Sequence, residues 1–284
     1  MSTHSARAYG PSAIGGDLRR FAELTLTLAR TEFKLRYFGS VLGYAWSLMR
    51  PLLFFTVLYV FFTAIIGLGK GVPHYGVYLL TGIVFWTYFA EATAGCVPCL
   101  LAREAMLRKV RFPRMVIPLA VSVTSLFNLG MNFIAVIVFA LADGVPPSVR
   151  WLELLPIALG FVVLATGIGM LLSALYVRYR DVQPIWEVVS QAWFYCSPVM
   201  YTATAYGAKF GAGFAHVALI NPVAMLLTQM GHAFIDPSSK QLPPAASIAG
   251  GLAPVVLALA LIPAIFALGW WVFTREAPRV AENL

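Results

Sequence analysis

Two glutamates inside apolar stretches, a CxxC pair and one short cationic segment are the residues of this sequence with chemistry to offer. Glu91 and Glu187 interrupt runs otherwise suited to hydrocarbon, where a carboxylate is costly and by default marks a functional position. For each, two readings stay open: a working carboxylate, or one near enough to the inner boundary to reach water or an arginine such as Arg103 or Arg180. Cys96 and Cys99 form the CxxC pair, but a four-ligand metal site needs two further donors at suitable spacing and the neighbouring sequence supplies none. With Cys196 they read as buried thiols. The cationic segment, residues 103–114 (REAMLRKVRFPR), sets Arg103, Arg108, Lys109, Arg111 and Arg114 against Glu104 alone. No GxxxxGK[ST], HExxH, GxSxG or paired-acid loop accompanies these groups. The sequence thus offers no catalytic residues, no metal ligands and no nucleotide or other cofactor site of its own.

These residues are carried by elements that composition already classifies. Sixty per cent of the 284 residues are hydrophobic and 11% charged, with a mean hydropathy of +0.80, against about 25% charge in an ordinary globular domain. This is the composition of an all-α polytopic membrane protein. The net charge of +8 follows from insertion physics, which keeps Lys and Arg in cytoplasmic loops. No nucleic-acid partner is expected, because no basic segment is interleaved with stacking aromatics outside the spans.

The cationic segment therefore fixes its loop on the inner side, and the topology propagates from it. Six segments approach the roughly 20 apolar residues a span requires: 51–68, 75–100, 115–141, 152–177, 182–201 and 248–273. That arrangement leaves sixteen of the twenty Lys and Arg residues inside and only Lys70, Arg150, Lys209 and Lys240 outside. Residues 1–16 are polar, without a signal-peptide h-region, and are expected to be a disordered cytoplasmic N-terminus. Residues 17–38 read as an amphipathic helix in the membrane interface, with Arg19, Glu23, Thr27, Arg30 and Lys34 on one face and Leu18, Phe21, Leu24, Leu28 and Leu35 opposite. Glu32 breaks its apolar face, with Arg36 one turn on as a candidate partner. Residues 39–275 form one transmembrane domain, and 276–284 a cytoplasmic tail. Between the fifth and sixth spans, 202–247 holds an apolar stretch broken at Asn221–Pro222, an N-cap followed by a first-turn proline. It is expected to be two short helices re-entering from the outer side, since a seventh span would export Arg275 and Arg279.

In order and spacing, residues 37–53 (YFGSVLGYAWSLMRPLL), 109–119 (KVRFPRMVIPL), 178–185 (RYRDVQPI), 197–201 (SPVMY) and 221–226 (NPVAML) resemble the membrane subunit of ABC-2-type polysaccharide exporters. These permeases carry lipid-linked O-antigen, capsule, galactan or teichoic-acid chains across the bacterial inner membrane, and the resemblance spans about residues 17–275. It implies a homodimer working with two separate ATP-binding-cassette subunits, which hold the ATP and Mg. It also implies a coupling helix at 103–114 docked on the ATPase, with Arg103, Arg108, Lys109, Arg111, Phe112 and Arg114 as the docking residues. The interface helix, with Glu32 and Arg36, would contact the ATPase too and guard the entrance for a polyprenyl-lipid-linked glycan.

A path for the glycan is sought among the spans. Trp186, Ser190, Trp193, Ser197 and Tyr201 recur at steps of 4, 3, 4 and 4 and so share a helical face, and Phe55, Tyr59 and Phe62 make a similar row on the first span. Flat rings and hydroxyls suit a hydrated sugar chain; lipid-facing packing and interfacial anchoring explain the same rows. Two rival classes remain: a proton-coupled secondary transporter, which would show inverted repeats, and a membrane-embedded glycan transferase, which would want paired acids or a metal cluster in a loop.

Overall fold

The computed structural model describes residues 18–37, 43, 45–67, 71–105, 113–236 and 238–276. The expectations for residues 1–16, for Arg108, Lys109, Arg111 and Phe112, and for nearly all of the tail lie outside them.

All regular structure among the described residues is helical. The amphipathic α1 (Leu18–Tyr37) is followed by α2 (Ala45–Val60), which widens into π turns over Phe61–Ile66. Next come α3 (Tyr75–Cys96), the short α4 (Cys99–Ala102), α5 (Val116–Ala142), a 3-10 turn (Val149–Glu153) and α6 (Leu154–Arg178). The chain continues with α7 (Val182–Cys196), α8 (Thr204–Phe210), α9 (Ala212–Ala218), α10 (Pro222–Phe234), α11 (Ala245–Ile248) and α12 (Leu252–Glu276). Five of these helical stretches, α2 with its π turns, α3, α5, the 3-10 turn with α6, and α12, are long and apolar enough to cross a membrane; α9 and α10 together would make a sixth but are bent by 103°. This is a multi-pass membrane protein.

Side-chain contacts establish that the spans alternate. Cys96, at the end of α3, meets the carbonyl of Pro118 near the start of α5. Trp186, near the start of α7, donates its indole N–H to Thr93 Oγ1 at 3.2 Å. Gly160 and Gly167 of α6 face Ile262 and Phe266 of α12 in the same chain direction. Arg103, Arg114, Arg178, Arg180 and Arg275 therefore gather at one end of the bundle, hereafter the cationic end. There Arg275 lies over the Trp271 ring at 3.9 Å and Arg180 over Tyr176 at 5.1 Å, so their stems stay against the helices while the charge is kept from hydrocarbon.

The expected fifth span differs most. Its helix, α7, has 15 residues, about 22 Å at 1.5 Å per residue, against about 30 Å of hydrocarbon. Ser197 precedes a proline and takes extended angles, φ −100° and ψ 148°, because the proline ring disfavours the helical region in the residue before it. Beyond it the chain runs without helix to Ala203, and its carbonyls need partners in a medium without water. Tyrosines supply them. The Tyr78 hydroxyl meets the carbonyls of Pro198 and, at 3.0 Å, Tyr201; Tyr75 donates to Met200 O at 2.6 Å, Tyr206 to Cys196 O at 2.6 Å and Tyr201 to Tyr195 O at 2.8 Å. Replacing Tyr78 by Phe leaves two buried carbonyls short of a donor and should cost about 1–3 kcal/mol. Thermal unfolding in detergent would register this; an unchanged midpoint would mean that the neighbouring tyrosines suffice.

The 202–247 region divides where the sequence indicates. Asn221 caps α10, its side chain accepting from Val223 N at 3.1 Å, with Pro222 at the first helical position. Cys96 and Cys99 are buried, but Cys196, expected to be buried, is exposed at the end of α7 because none of the described elements covers that face of the helix.

Candidate functional site

Helix α1 is fastened to the bundle by its small and polar residues rather than its leucines. Thr25 and Ala29 are buried, while Leu18, Leu24 and Leu35 of the expected apolar face stay exposed, free to enter lipid. Small side chains let α1 approach α5, where Thr124 Oγ1 donates to Ala29 O at 3.2 Å and the Phe33 and Phe127 rings meet edge-on at 5.5 Å.

Two ion pairs then join α1 to the cationic end. Arg103 donates to Glu32 in a pair whose side chains are about one-fifth exposed, and to Cys99 O at 3.2 Å. One turn along α1, Arg36 Nη1 stands 3.6 Å from Glu91 Oε2, to which Asn128 Nδ2 also donates at 3.0 Å; the Tyr37 hydroxyl donates to Asn128 Oδ1 at 2.8 Å. The Glu32–Arg36 pair expected from the i,i+4 spacing is thus not the pairing that forms. Each partner finds an opposite charge on a neighbouring element, where the lower dielectric makes the attraction stronger than in an exposed pair along one helix. Glu91 correspondingly meets Arg36, neither Arg103 nor Arg180. Of the cationic segment, Arg103 and Arg114 are described, both half-buried.

The two aromatic rows turn largely into the bundle, with Tyr59 38% exposed. Phe55 is buried against Phe139 at 5.5 Å, and Tyr59 lies over Tyr75 at 6.4 Å, with Phe62 packed beside this core. Trp193 meets Phe89 edge-on at 5.4 Å and donates to Asn221 Oδ1 at 3.0 Å; Asn221 Nδ2 reaches Ser197 Oγ at 3.4 Å. Helix α7 ends at Cys196, so Ser197 and Tyr201 leave the helical face on which the spacing places them. Trp186 is likewise buried, at 7% exposure, with its indole on Thr93, but its edge and the half-buried Ser190 line a groove of about 400 Å³ with Phe54, Glu187, Gln191 and Tyr195, along the open side of α7. On that side, among the described residues, Glu187 accepts a single long bond, 3.4 Å, from Gln183.

A model of the ABC-2 type transporter family matches residues 23–234, from the first turns of α1 to the end of α10. The chain belongs to that family. This ABC-2 chain is 29% identical over 219 residues to O-antigen export system permease proteins RfbA of Klebsiella pneumoniae, covering 75% of this chain and 81% of each relative. It is 26% identical over 220 residues to O-antigen export system permease protein RfbA of Myxococcus xanthus, 78% of this chain and 83% of that one.

Several residues of the ABC-2 chain that build this site escaped sequence reasoning. Asn128 and Asn132 lie one turn apart within a span, a spacing that marks a polar face and was legible. The carbonyl-capping tyrosines had no such signal, since their role depends on where another helix breaks.

Proposed function

We propose that this chain is the permease subunit of an ATP-driven exporter that moves a polyprenyl-lipid-linked polysaccharide outward across the bacterial inner membrane. In this reading it works as a homodimer with two ATP-binding-cassette subunits, which bind the ATP and Mg, and its cationic end and both termini face the cytoplasm. The observation carrying the proposal is the pair of ion bridges from α1 to the root of the cationic segment and to Glu91. Through them, a push on that segment from a soluble partner reaches the interface helix and α3 together. The relatives named as O-antigen export permeases favour a polysaccharide cargo.

The conduit follows from the open face of α7. Trp186 and Ser190 stay in it, joined by Gln191 and Tyr195, which the groove exposes to a second copy or to the cargo. Phe55, Tyr59, Phe62, Trp193, Ser197 and Tyr201 hold the walls in place from behind. The coupling role of Arg103, Arg108, Lys109, Arg111, Phe112 and Arg114 rests on the position of their segment between α4 and α5, and α9 with α10 forms the re-entrant outer pair.

Reconstitution in vesicles with a separate ATP-binding-cassette subunit and a lipid-linked glycan should give ATP-dependent appearance of glycan on the far side. The double variant Arg108→Glu, Arg111→Glu should lower ATPase capture by about tenfold or more, equivalent to about 1.4 kcal/mol, while insertion survives. Solute uptake driven by a proton gradient in vesicles holding this chain alone would overturn the proposal in favour of a secondary transporter.

A further inference from the structure

At the end of the bundle opposite the cations, α10 is fastened by a histidine whose two ring nitrogens have unlike partners. His232, 9% exposed, places Nδ1 2.9 Å from Leu242 O and Nε2 3.4 Å from Arg150 Nη1. A carbonyl can only accept, so Nδ1 carries the proton; a guanidinium can only donate, so Nε2 must offer its lone pair. The arrangement holds for the neutral ring alone. A proton on Nε2 would set donor against donor and cation against cation in a site half shut off from water.

The other ionisable groups around the ring are engaged elsewhere or stand apart. Glu153, in the same 3-10 turn as Arg150, would favour a charged ring, but its Oε2 accepts from Gln229 at 2.9 Å. Asp236, just beyond α10, accepts from Ser238 N at 2.9 Å and Ser238 Oγ at 2.6 Å, and Asp143 at the end of α5 pairs with His74 at 2.7 Å. Lys240 is exposed in the loop before Leu242. Helix α3 brings the Tyr78 ring against Gly231; α6, α11 and α12 bring no ionisable side chain to this end. Arg150 is the charge in contact.

What this fastening holds reaches α7. Asn221, the N-cap of α10, accepts from Trp193 at 3.0 Å and reaches Ser197 at 3.4 Å. Next to His232, a Cβ on Gly231 would lie 2.9 Å from the Tyr78 ring, so the α10 backbone rests on the tyrosine whose hydroxyl caps the carbonyls of Pro198 and Tyr201. Helix α10 is thus a strut between the turn that starts α6 and the end of α7.

We propose that His232 is a positioning residue that holds this strut, and through it the end of α7, only while its ring is neutral, so that acid releases α10 from Arg150. Imidazole is the side chain that changes charge between about pH 5 and 8, and the link is present on the alkaline side of its titration and lost on the acid side. The consequence for export rests on the proposed transport reading; the ring chemistry does not.

Hydrogen exchange of the purified full chain in detergent, corrected for intrinsic amide chemistry, tests this at about pH 7.5 and pH 5.5. Exchange across α10 should speed up about tenfold at the lower pH in the unsubstituted chain. His232→Gln, whose amide can donate to Leu242 O and accept from Arg150 without titrating, should exchange slowly at both. Arg150→Gln, at an exposed position, removes the opposing charge and should also lose the pH response; it decides the matter if His232→Gln fails to fold. An unsubstituted chain indifferent to pH, or a full response surviving in either variant, overturns the proposal, the latter making another group such as His74 the sensor. In vesicles with the ATP-binding-cassette subunit, acid on the outer side should slow export several-fold in the unsubstituted chain and in neither variant; an exchange response without that slowing overturns the coupling to α7. Absence of ATP-driven export at either pH, with the exchange response intact, would instead count against the transport reading alone.

Discussion

Reversing either charge of the Glu32–Arg103 pair should cripple export by about thirtyfold to a hundredfold, and reversing both together should restore most of it. The two side chains are about one-fifth exposed. Removing one partner of a fully buried pair costs about 3–5 kcal/mol; discounting for the remaining exposure leaves about 2–3 kcal/mol, and each 1.4 kcal/mol is a factor of ten. Glu32→Arg sets two guanidinium groups against each other between α1 and the root of the cationic segment, as Arg103→Glu does with two carboxylates. The double exchange rebuilds the bridge with its sign reversed. The measurement is ATP-dependent glycan export per folded complex, with stability followed alongside. A single variant that melts earlier but exports at the parental rate would mean that the bridge merely anchors α1 and does not transmit the stroke.

Placing a side chain at Gly269 should have the largest effect on folding itself. Where α6 crosses α12, a Cβ on Gly269 would run into the Gly167 carbonyl, and a Cβ on Gly167 would lie 2.6 Å from the Phe266 Cα. Both obstacles are backbone and cannot swing aside, so Gly269→Val must push α12 off α6. Small residues that permit close helix approach are the main device for packing spans in lipid, where burial of apolar surface gives no drive. Overpacking of this kind costs about 3 kcal/mol or more, and should appear as loss of monodisperse protein and a lower melting point in detergent. Gly130 on α5 provides the contrast: a Cβ there meets nothing within 4 Å. Gly130→Ala should gain up to about 1 kcal/mol from helix propensity. If both variants unfolded alike, helix crossing would not explain the first.

The sequence by itself determined the class, five of the six expected spans and the end at which the cations collect. Composition and the distribution of Lys and Arg answer to lipid insertion, a local property of each segment that needs no partner. The break at Asn221–Pro222 was legible for the same reason, since a cap and a first-turn proline act within a few residues. Only the tertiary structure decided which charges meet. Glu32 and Arg36 have the spacing of a helix pair, yet each is drawn to a nearer-buried charge on another element, Arg103 and Glu91. It also decided that most of the aromatic rows serve as packing, since helical spacing gives residues a common face without saying which way the face points. The short α7 shows the limit most plainly: its end at Ser197 follows from Pro198, but the chain beyond it can stay non-helical only because tyrosines from other segments cap its carbonyls.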